Sequence, residues 1–515
     1  MERTVSRSGG IGRWGGLALL SFLALVAGLI ALPFGGSEGH ASEPGSPRLG
    51  AGNPVVLILL DELPTASLMT ADGQRIKRNR FPRIAEFADG ATWYRDNVAG
   101  GDFTGWAVPS ILTGSLSNRL KIPTAQVFPD NLFTLFGPGR TVHSLETVTE
   151  LCPVAICPDG HQGEAPDAKF ANEFVKAKFY RLDPAQINGW ITGIPSGENT
   201  LSFMHLELPH LPLRYLPDGR VYPGRSLLMP NDLSVKHWTA GPAAISFIQQ
   251  RHLLQAGYAD LLVGRILDKI RQNGDFENAM IVLTADHGIS YDPGDLRRDA
   301  TATNPGATVN PPLIIKYPGQ TRGVVSTAST QSIDILPTIA DTLGAEIPPT
   351  EGRPVRQARP DRVMTVSKDL MSQITFTTEQ MREDRRQVLA TQYQRFGKLD
   401  LWRLGPRSKL FGRHPGRVPW QLGVKVKFEA PAALRKADHS RARVPALVGG
   451  WVKGMDPGKV IALSWNGRIV ATTRTFLHLG KVRFGAMVPP SVMVRGKNRI
   501  KVFAVGPANG LYRIR

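Results

Sequence analysis

Residues 54–62 read PVVLILLDE, a continuous apolar run that ends in two acidic side chains, Asp61 and Glu62. A short apolar run without alternation is typical of a strand buried on both faces, as in a parallel sheet covered by helices. The two carboxylates then lie at the carboxyl end of the strand, which is where open α/β sheets bind ligands. This stretch predicts an α/β fold with a functional site at one edge of a mostly parallel sheet.

Two further apolar runs also end in polar side chains. Residues 279–285 lead into Asp286 and His287, and residues 201–206 lead through a short polar segment to His210. Because the carboxyl ends of parallel strands meet at one edge, we expect these side chains to lie close to the first acidic pair. Carboxylate oxygens and imidazole nitrogens suit a divalent metal ion, so the pattern predicts one Mn, Mg, Zn or Ca ion.

Helical periodicity fills the chain between these runs. Residues 245–270 return apolar side chains to one face until Gly274 ends the pattern, which predicts a helix that covers the sheet. Residues 332–343 and 381–394 also have helix-like patterns, the second of them polar. Helices that alternate with buried strands are typical of α/β proteins in which helices flank the sheet.

From about residue 424 the pattern changes to short β-type runs separated by turn residues. Trp465-Asn466-Gly467-Arg468 is a strong signal for a two-residue hairpin, and the whole region predicts a small antiparallel β-domain. The predicted organisation is an N-terminal signal anchor and linker (1–50), a main α/β domain (51–350), a connecting segment (351–420) and a basic β-rich C-terminal domain (421–515).

An apolar stretch, residues 14–34, follows a start that contains three arginines, a combination typical of an export signal. Its solid apolar core lies in length between a signal-peptide core and a full membrane span. We expect a retained transmembrane anchor with an extracytoplasmic body. The alternative is cleavage before Ser42, which also places the body outside the cytoplasm.

The formal charge of +19 is concentrated in the C-terminal third. Residues 352–515 hold 33 Lys and Arg against 9 Asp and Glu, whereas residues 1–351 hold 29 against 34. Because an exported chain does not meet nucleic acid, the basic region favours an anionic membrane surface or an anionic envelope polymer as partner. A solvated basic surface without a partner is the alternative.

Cys152 and Cys157 are the only cysteines and stand in the segment ELCPVAICPDG. In an oxidising compartment, such a pair in a Pro-containing loop most simply forms a local disulfide. A zinc site is the alternative, and it would have only His161 nearby as a further ligand.

Residues 54–344 resemble the alkaline phosphatase and sulfatase superfamily. The matching pieces, in the family's order, are VVLILLDE, TGWAVPSILTG, LPHLP, LTADHG, PPLIIKYPG and STQSIDILPTIADTLG. The resemblance implies a sulfatase-like catalytic domain at residues 51–350 and a metal-dependent hydrolase or transferase. It also implies that Asp61, Asp286 and His287 are metal ligands.

In arylsulfatases, the nucleophile of a Cys-x-Pro-Ser-Arg motif lies nine positions before the Thr of a Thr-Gly pair. That pair is similar to Thr113-Gly114 here, and nine positions before it stands Thr104. The segment TGWAVP resembles phosphoethanolamine transferases more than sulfatases, which favours phosphate esters over sulfate esters. Coordination to a divalent ion lowers the pKa of a hydroxyl, so Thr104 is expected to be both metal ligand and nucleophile. The alternative role for Thr104 is the N-cap of a helix over residues 105–112.

His210 resembles the family histidine that contacts the transferred group, so we expect electrostatic stabilisation or general acid catalysis from it. His205 and Glu207 are nearby competitors for that role. Arg297 and Arg298, in the polar loop after the LTADHG block, could bind the phosphate; solvated loop residues are the alternative.

Glu62 is either a second ligand of the predicted metal ion or a cap for the helix that follows it. The sequence alone does not decide between these two roles for its carboxylate.

Three functions remain at this point. The leading hypothesis is an enzyme that transfers a phosphoryl substituent through Thr104, either to water or to an envelope glycan or lipid. The second is a sulfuric ester hydrolase or phosphodiesterase of the same superfamily. The third is an inactive envelope protein that binds a polyanion through the basic residues 421–515.

Overall fold

The computed structural model of the chain has a seven-stranded sheet at its centre, in the order β3-β4-β1-β5-β6-β2-β7. Only β6 runs antiparallel to its two neighbours, and the other pairings are parallel. The mostly parallel sheet predicted from the sequence is therefore confirmed. Its strands are β1 (Val55–Asp61), β2 (Thr92–Val98), β3 (Thr141–Leu145), β4 (Thr200–Pro209), β5 (Met280–Ala285), β6 (Leu313–Lys316) and β7 (Val324–Gln331).

The three apolar runs of the sequence are β1, β4 and β5, and they lie side by side in the middle of the sheet. All residues of β1 and β4 are buried, as expected for strands covered on both faces. Because these strands are parallel, their carboxyl ends meet at one edge, which positions the acidic residues that follow them.

Helices cover both faces of the sheet. Alternate residues of β1 pack into one apolar cluster that contains α7 and into another that contains α3 and α9. The helices are α1 (Thr65–Leu68), α2 (Pro82–Ala88), α3 (Thr104–Thr113), α4 (Leu132–Phe136), α5 (Ala171–Lys178), α6 (Pro184–Gly193), α7 (Pro242–Gln272), α8 (Pro305–Thr308), α9 (Ile335–Leu343), α10 (Thr378–Phe396) and α11 (Pro431–Arg435).

The C-terminal part of the chain is antiparallel β-structure, in two four-stranded sheets with the orders β10-β11-β15-β14 and β13-β12-β16-β17. These strands are β10 (Lys425–Phe428), β11 (Leu447–Lys453), β12 (Val460–Trp465), β13 (Arg468–Arg474), β14 (Phe476–His478), β15 (Lys481–Met487), β16 (Ile500–Val505) and β17 (Leu511–Arg513). The predicted hairpin joins β12 to β13, and Asn466 and Gly467 in its turn have φ values of 50° and 90°. Both values are positive, as a type I′ turn requires.

Residues 351–420 contain more regular structure than a connecting segment would. A two-stranded hairpin forms there from β8 (Val363–Ser367) and β9 (Gln373–Thr377), and α10 follows it directly. Arg382 and Arg385 of α10 pair with the buried carboxylate of Asp96 on β2. These ion pairs tie the segment to the main sheet.

The structure describes residues 52–158, 168–178, 183–223, 238, 241–368, 372–397, 401–478 and 480–515. The predicted anchor, residues 14–34, lies outside them. Among the described helices, none is both long enough and apolar enough to cross a bilayer. Cys152 and Cys157 form a disulfide, with their Cα atoms 5.9 Å apart.

Candidate active site

Three buried side chains meet at the carboxyl edge of the central strands. Asp61 ends β1, His205 belongs to β4 and Asp286 follows β5. One ligand atom from each side chain lies within 4.8 Å of the other two. The Nε2 atom of His205 is 3.9 Å from Oδ2 of Asp61. This arrangement makes the three residues a candidate metal site.

Four polar atoms of this cluster lack hydrogen-bond partners within the described residues. Both carboxylate oxygens of Asp61, Oδ2 of Asp286 and Nε2 of His205 are buried without a hydrogen bond. Burial and the nearby charge of Asp286 raise the pKa of Asp61 well above its ordinary value. Unpartnered buried oxygens and adjacent carboxylates are unfavourable unless a cation compensates them. The donor set fits a divalent metal ion.

His287 stands beside this set, as the sequence predicts. Its Nε2 atom lies 3.4 Å from Oδ2 of Asp286 and is also buried without a hydrogen bond. Its Nδ1 atom donates to the Gly288 carbonyl at 2.9 Å, an arrangement that directs Nε2 toward Asp286. His287 is thus prepared to bind a cation through Nε2.

The sequence suggested His205 only as a competitor of His210 for contact with the transferred group. The structure places it at the candidate metal site instead. Strand β4 alternates its side chains, which puts His205 on the same face as Leu201 and Phe203, the face covered by α3. Its Nδ1 atom is 3.0 Å from Oγ1 of Thr147. Burial lowers the pKa of His205 to about 4, so its ring is neutral at pH 7.

Glu62 adopts an unusual backbone conformation, with φ at 63°. Its N–H donates to Oδ1 of Asp286 at 3.0 Å, and its carbonyl accepts from Nε2 of His252 at 3.0 Å. A non-glycine residue is held in this left-handed region only where its surroundings fix it. The side chain does not cap α1, whose N-cap has no side-chain hydrogen bond, so the capping alternative is wrong.

The carboxylate of Glu62 pairs with both arginines predicted to bind the substrate. Arg297 donates to Oε1 of Glu62 at 2.9 Å, and Nε of Arg298 is 3.5 Å from the same atom. Burial alone would raise the pKa of Glu62, but the charges of Arg297 and His210, followed by Arg298, lower it to about 2. Arg297 is 5% exposed, so the solvated-loop alternative is wrong for this residue.

Arg298 joins Glu62 to His210 and to the start of α3. Its Nη1 atom lies 3.1 Å from Nε2 of His210, and its Cζ atom lies 5.4 Å from the centre of the Phe103 ring. His210 Nδ1 is 2.9 Å from the Leu211 carbonyl, so Nε2 carries the lone pair that accepts from Arg298. Burial lowers the pKa of His210 to about 4. A neutral ring at pH 7 fits electrostatic positioning better than general acid catalysis.

Thr104 is the first residue of α3 and is 3% exposed. The N-cap is Phe103, so the alternative in which Thr104 caps the helix is wrong. The loop before α3 is anchored beside the arginines, because Asp102 accepts a hydrogen bond from the Ala300 N–H at 2.9 Å. Thr104 therefore begins a helix that covers the same sheet face as His205, next to the Arg298 loop.

Residues 190–345 match the Sulfatase family model. The predicted alkaline phosphatase and sulfatase superfamily is confirmed. The matched sulfatase segment contains His205, His210, Asp286 and His287, whereas Thr104 precedes it.

Similar proteins carry related descriptions. A stretch of 91 residues is 32% identical to the multifunctional alkaline phosphatase superfamily protein PehA of Trinickia caryophylli, covering 17% of each chain. A stretch of 152 residues is 26% identical to an ulvan-active sulfatase of Formosa agariphila, covering 29% of each chain. The chain thus matches less than a third of the length of each of these two curated relatives.

Among solved structures, a phosphonate monoester hydrolase from Silicibacter pomeroyi aligns with a TM-score of 0.45 and 20% identity. The alignment covers 61% of this chain and 79% of that chain.

Proposed function

We propose that this protein is an extracytoplasmic, metal-dependent enzyme that transfers a phosphoryl substituent from a phosphate ester, with Thr104 as nucleophile. The acceptor is water or a hydroxyl of an envelope glycan or lipid. The observation that carries the proposal is the set of orphaned ligand atoms on Asp61, Asp286 and His205. Thr104 begins the helix that covers the same sheet face.

The first half-reaction replaces one ester bond by another. A P–O bond forms to Oγ1 of Thr104 while the P–O bond to the leaving alkoxide breaks. The proton of the Thr104 hydroxyl goes to solvent, and the leaving alkoxide takes a proton from solvent. A divalent ion held by Asp61, Asp286, His287 and His205 would lower the pKa of the hydroxyl and draw charge from a phosphate oxygen. The acceptor hydroxyl then displaces Thr104 and regenerates it.

The residues around Thr104 suit the charge of this reaction. Arg298 presents a guanidinium between His210 and the start of α3, where it can pair with non-bridging phosphate oxygens. Glu62 holds Arg297 and Arg298 at one carboxylate oxygen, so both guanidinium groups are oriented before a substrate binds.

The absence of a cysteine at position 104 supports phosphate over sulfate. Sulfatases of the resembled type need a cysteine that matures to formylglycine, and the only two cysteines of this chain form a disulfide instead. A threonine hydroxyl attacks phosphorus directly and needs no maturation step.

The test uses the Thr104→Ala variant and the activated diester bis(4-nitrophenyl) phosphate. We expect turnover to fall by roughly 10³-fold or more, because the nucleophile is lost. Thr113→Ala, at the other end of the same helix, is the matched control and should keep its turnover. Undiminished turnover in Thr104→Ala would refute the proposal, as would the lack of a phosphorylated Thr104 peptide after rapid quenching.

A sulfate ester is the second candidate substrate, because the family model and the ulvan-active relative are both described as sulfatases. Rates on 4-nitrophenyl sulfate and on the phosphodiester separate the two candidates. A sulfatase would hydrolyse the sulfate faster, and phosphoryl transfer predicts the reverse order.

We further propose that an N-terminal anchor holds the enzyme at the membrane. In this proposal, the basic C-terminal β-structure faces anionic lipid headgroups or an anionic envelope polymer. Cell fractionation of the full chain and of a chain lacking residues 1–45 tests the anchor. Equal recovery of both chains in the membrane fraction would contradict it.

A further inference from the structure

A cavity of about 670 Å³ lies away from the candidate metal site. It is bounded by the segment 70–79, by α2 and α10, and by the first residues of β2 and β7. Trp93, in its wall, is the second residue of β2, whereas the sheet edge with the metal site lies beyond the last residue, Val98. Five residues of extended strand span about 16 Å, so the cavity is at the opposite edge of the sheet.

Three cationic side chains line this cavity: Arg75, Lys77 and Arg78. Arg78 pairs with the exposed carboxylate of Asp89. Lys77 is half-buried, and its Nζ atom donates to the Gly397 carbonyl at 3.3 Å. Burial lowers the pKa of Lys77 to about 8, which leaves the ammonium charged at neutral pH. Positive charge therefore exceeds negative charge along the cavity.

Trp93 forms part of the cavity wall with its indole buried. Its side chain is 2% exposed, and its Nε1 atom lies within the wall, out of reach of a ligand in the cavity. The cationic side chains that line the cavity can only donate hydrogen bonds. A ligand rich in oxygen acceptors would satisfy these side chains.

The same cavity exposes apolar and aromatic surface. Val325 is 51% exposed and is the register partner of Trp93 on the edge strand β7, and Tyr393 of α10 is 42% exposed. A sugar ring has apolar C–H faces that pack on aromatic rings, and hydroxyl or anionic substituents that accept hydrogen bonds. Donors beside an exposed tyrosine therefore suit carbohydrate better than a free inorganic anion.

We propose that this cavity is an accessory binding site for an anionic oligosaccharide, separate from the site of chemistry. Lys77 and Arg75 pair with its anionic substituents, and Tyr393 stacks on a sugar face. The cavity is concave with the indole in its wall, whereas a bilayer presents a broad surface that does not enter such a cavity. The site goes beyond the proposed function and does not depend on turnover.

The experiment measures binding of a heparin-derived hexasaccharide to the full chain by calorimetry. Thr104→Ala serves as background, so that turnover does not interfere. Arg75→Gln combined with Lys77→Gln should weaken binding about tenfold or more, because two charge-assisted contacts are lost. Lys121→Gln combined with Lys176→Gln removes the same charge from two exposed residues outside both the cavity and the basic C-terminal region, and should leave the affinity within about twofold.

Tyr393→Ala is the second variant, and because its ring is exposed the substitution leaves the buried core intact. It should weaken binding of the hexasaccharide and leave the weak binding of inorganic sulfate unchanged. Equal losses of affinity in the Arg75/Lys77 and Lys121/Lys176 variants would overturn the proposal in favour of diffuse charge attraction. The proposal would also be overturned if the hexasaccharide did not bind while phosphatidylglycerol vesicles bound in a Lys77-dependent manner.

Discussion

Arg298 and His210 share a hydrogen bond in which Nη1 of the arginine lies 3.1 Å from Nε2 of the histidine. The imidazole accepts this bond because its other nitrogen is committed to the Leu211 carbonyl. The guanidinium is therefore held at three points: by His210, by Glu62 and over the ring of Phe103. This arrangement fixes the guanidinium of Arg298 beside Phe103, the residue before Thr104.

Replacing Arg298 should affect turnover more than binding. Arg298→Lys keeps the charge but loses the planar fork that reaches Glu62 and His210 together, so we expect kcat to fall roughly 10- to 100-fold with a smaller change in KM. Arg298→Ala should lower kcat further. Steady-state kinetics on the activated phosphodiester measures both effects. A change confined to KM would mean that the guanidinium only contributes ground-state binding.

His205 and His252 provide a matched pair for testing the metal site. Both are buried, and burial lowers the pKa of each to about 4, but only His205 groups with Asp61 and Asp286. His205→Gln should lose bound metal, measured by elemental analysis of the purified protein, whereas His252→Gln should retain it. Equal metal content in the two variants would remove His205 from the ligand set.

Glu62→Gln should destabilise the fold. It leaves the buried guanidinium of Arg297 without its counter-charge, and breaking a buried ion pair costs about 3–5 kcal/mol. Chemical denaturation should show this loss in the free energy of unfolding. Glu379→Gln removes an exposed carboxylate on α10 and should leave the free energy of unfolding nearly unchanged. Similar changes in the free energy of unfolding for the two variants would show that Glu62 is not a structural counter-ion.

Asp260 should make stability depend on pH between about 4 and 6. Its carboxylate accepts hydrogen bonds from the Ile84 and Arg83 N–H groups, yet burial raises its pKa from 3.8 to about 6. Between about pH 6 and pH 4 the carboxyl group of Asp260 is protonated in the folded state but still ionised in the unfolded state. Its contribution to the free energy of unfolding therefore rises as the pH falls through this window.

Asp260→Asn removes that gain. The Tm of the variant relative to the natural protein should therefore be highest above pH 6 and should fall as the pH is lowered to 4. Differential scanning calorimetry at several pH values measures the trend, and a constant difference would contradict it.

Removing the disulfide should lower the melting temperature without removing activity. Cys152 and Cys157 enclose a short loop, for which the loss of chain entropy predicts about 2 kcal/mol of stabilisation. The bond lies beside Glu146, which accepts from the Leu151 and Cys152 N–H groups. The double variant with serine should melt several degrees lower and keep its kcat. Loss of kcat at temperatures well below its Tm would tie this loop to catalysis.

Strand ends were predictable from the sequence because they depend on local pattern. Asp61 and Asp286 each follow an apolar run, and parallel strands bring such residues to one edge. His205 stands inside its strand, so its role depends on β4 lying next to β1 and on the irregular register between Leu60 and Asp61. The sequence of β4 alone carries no signal of that neighbour.

Contacts between residues that are far apart in the sequence could not be predicted either. Glu62 and Arg297 are separated by 235 residues, and the loop that carries the arginine has no periodic pattern. The hairpin of β8 and β9 was missed because its strands are short and follow a Pro- and Arg-rich segment. The hairpin is held in place by its contacts with the main sheet, and its own composition gives no sign of them.

Asp286 divides its two carboxylate oxygens between different tasks. Oδ1 accepts from the backbone N–H groups of Glu62 and His287, while Oδ2 has no hydrogen bond. Backbone hydrogen bonds therefore fix the position of the carboxylate that offers Oδ2. An ion bound there would meet a ligand that is already ordered, so its binding would cost little conformational entropy.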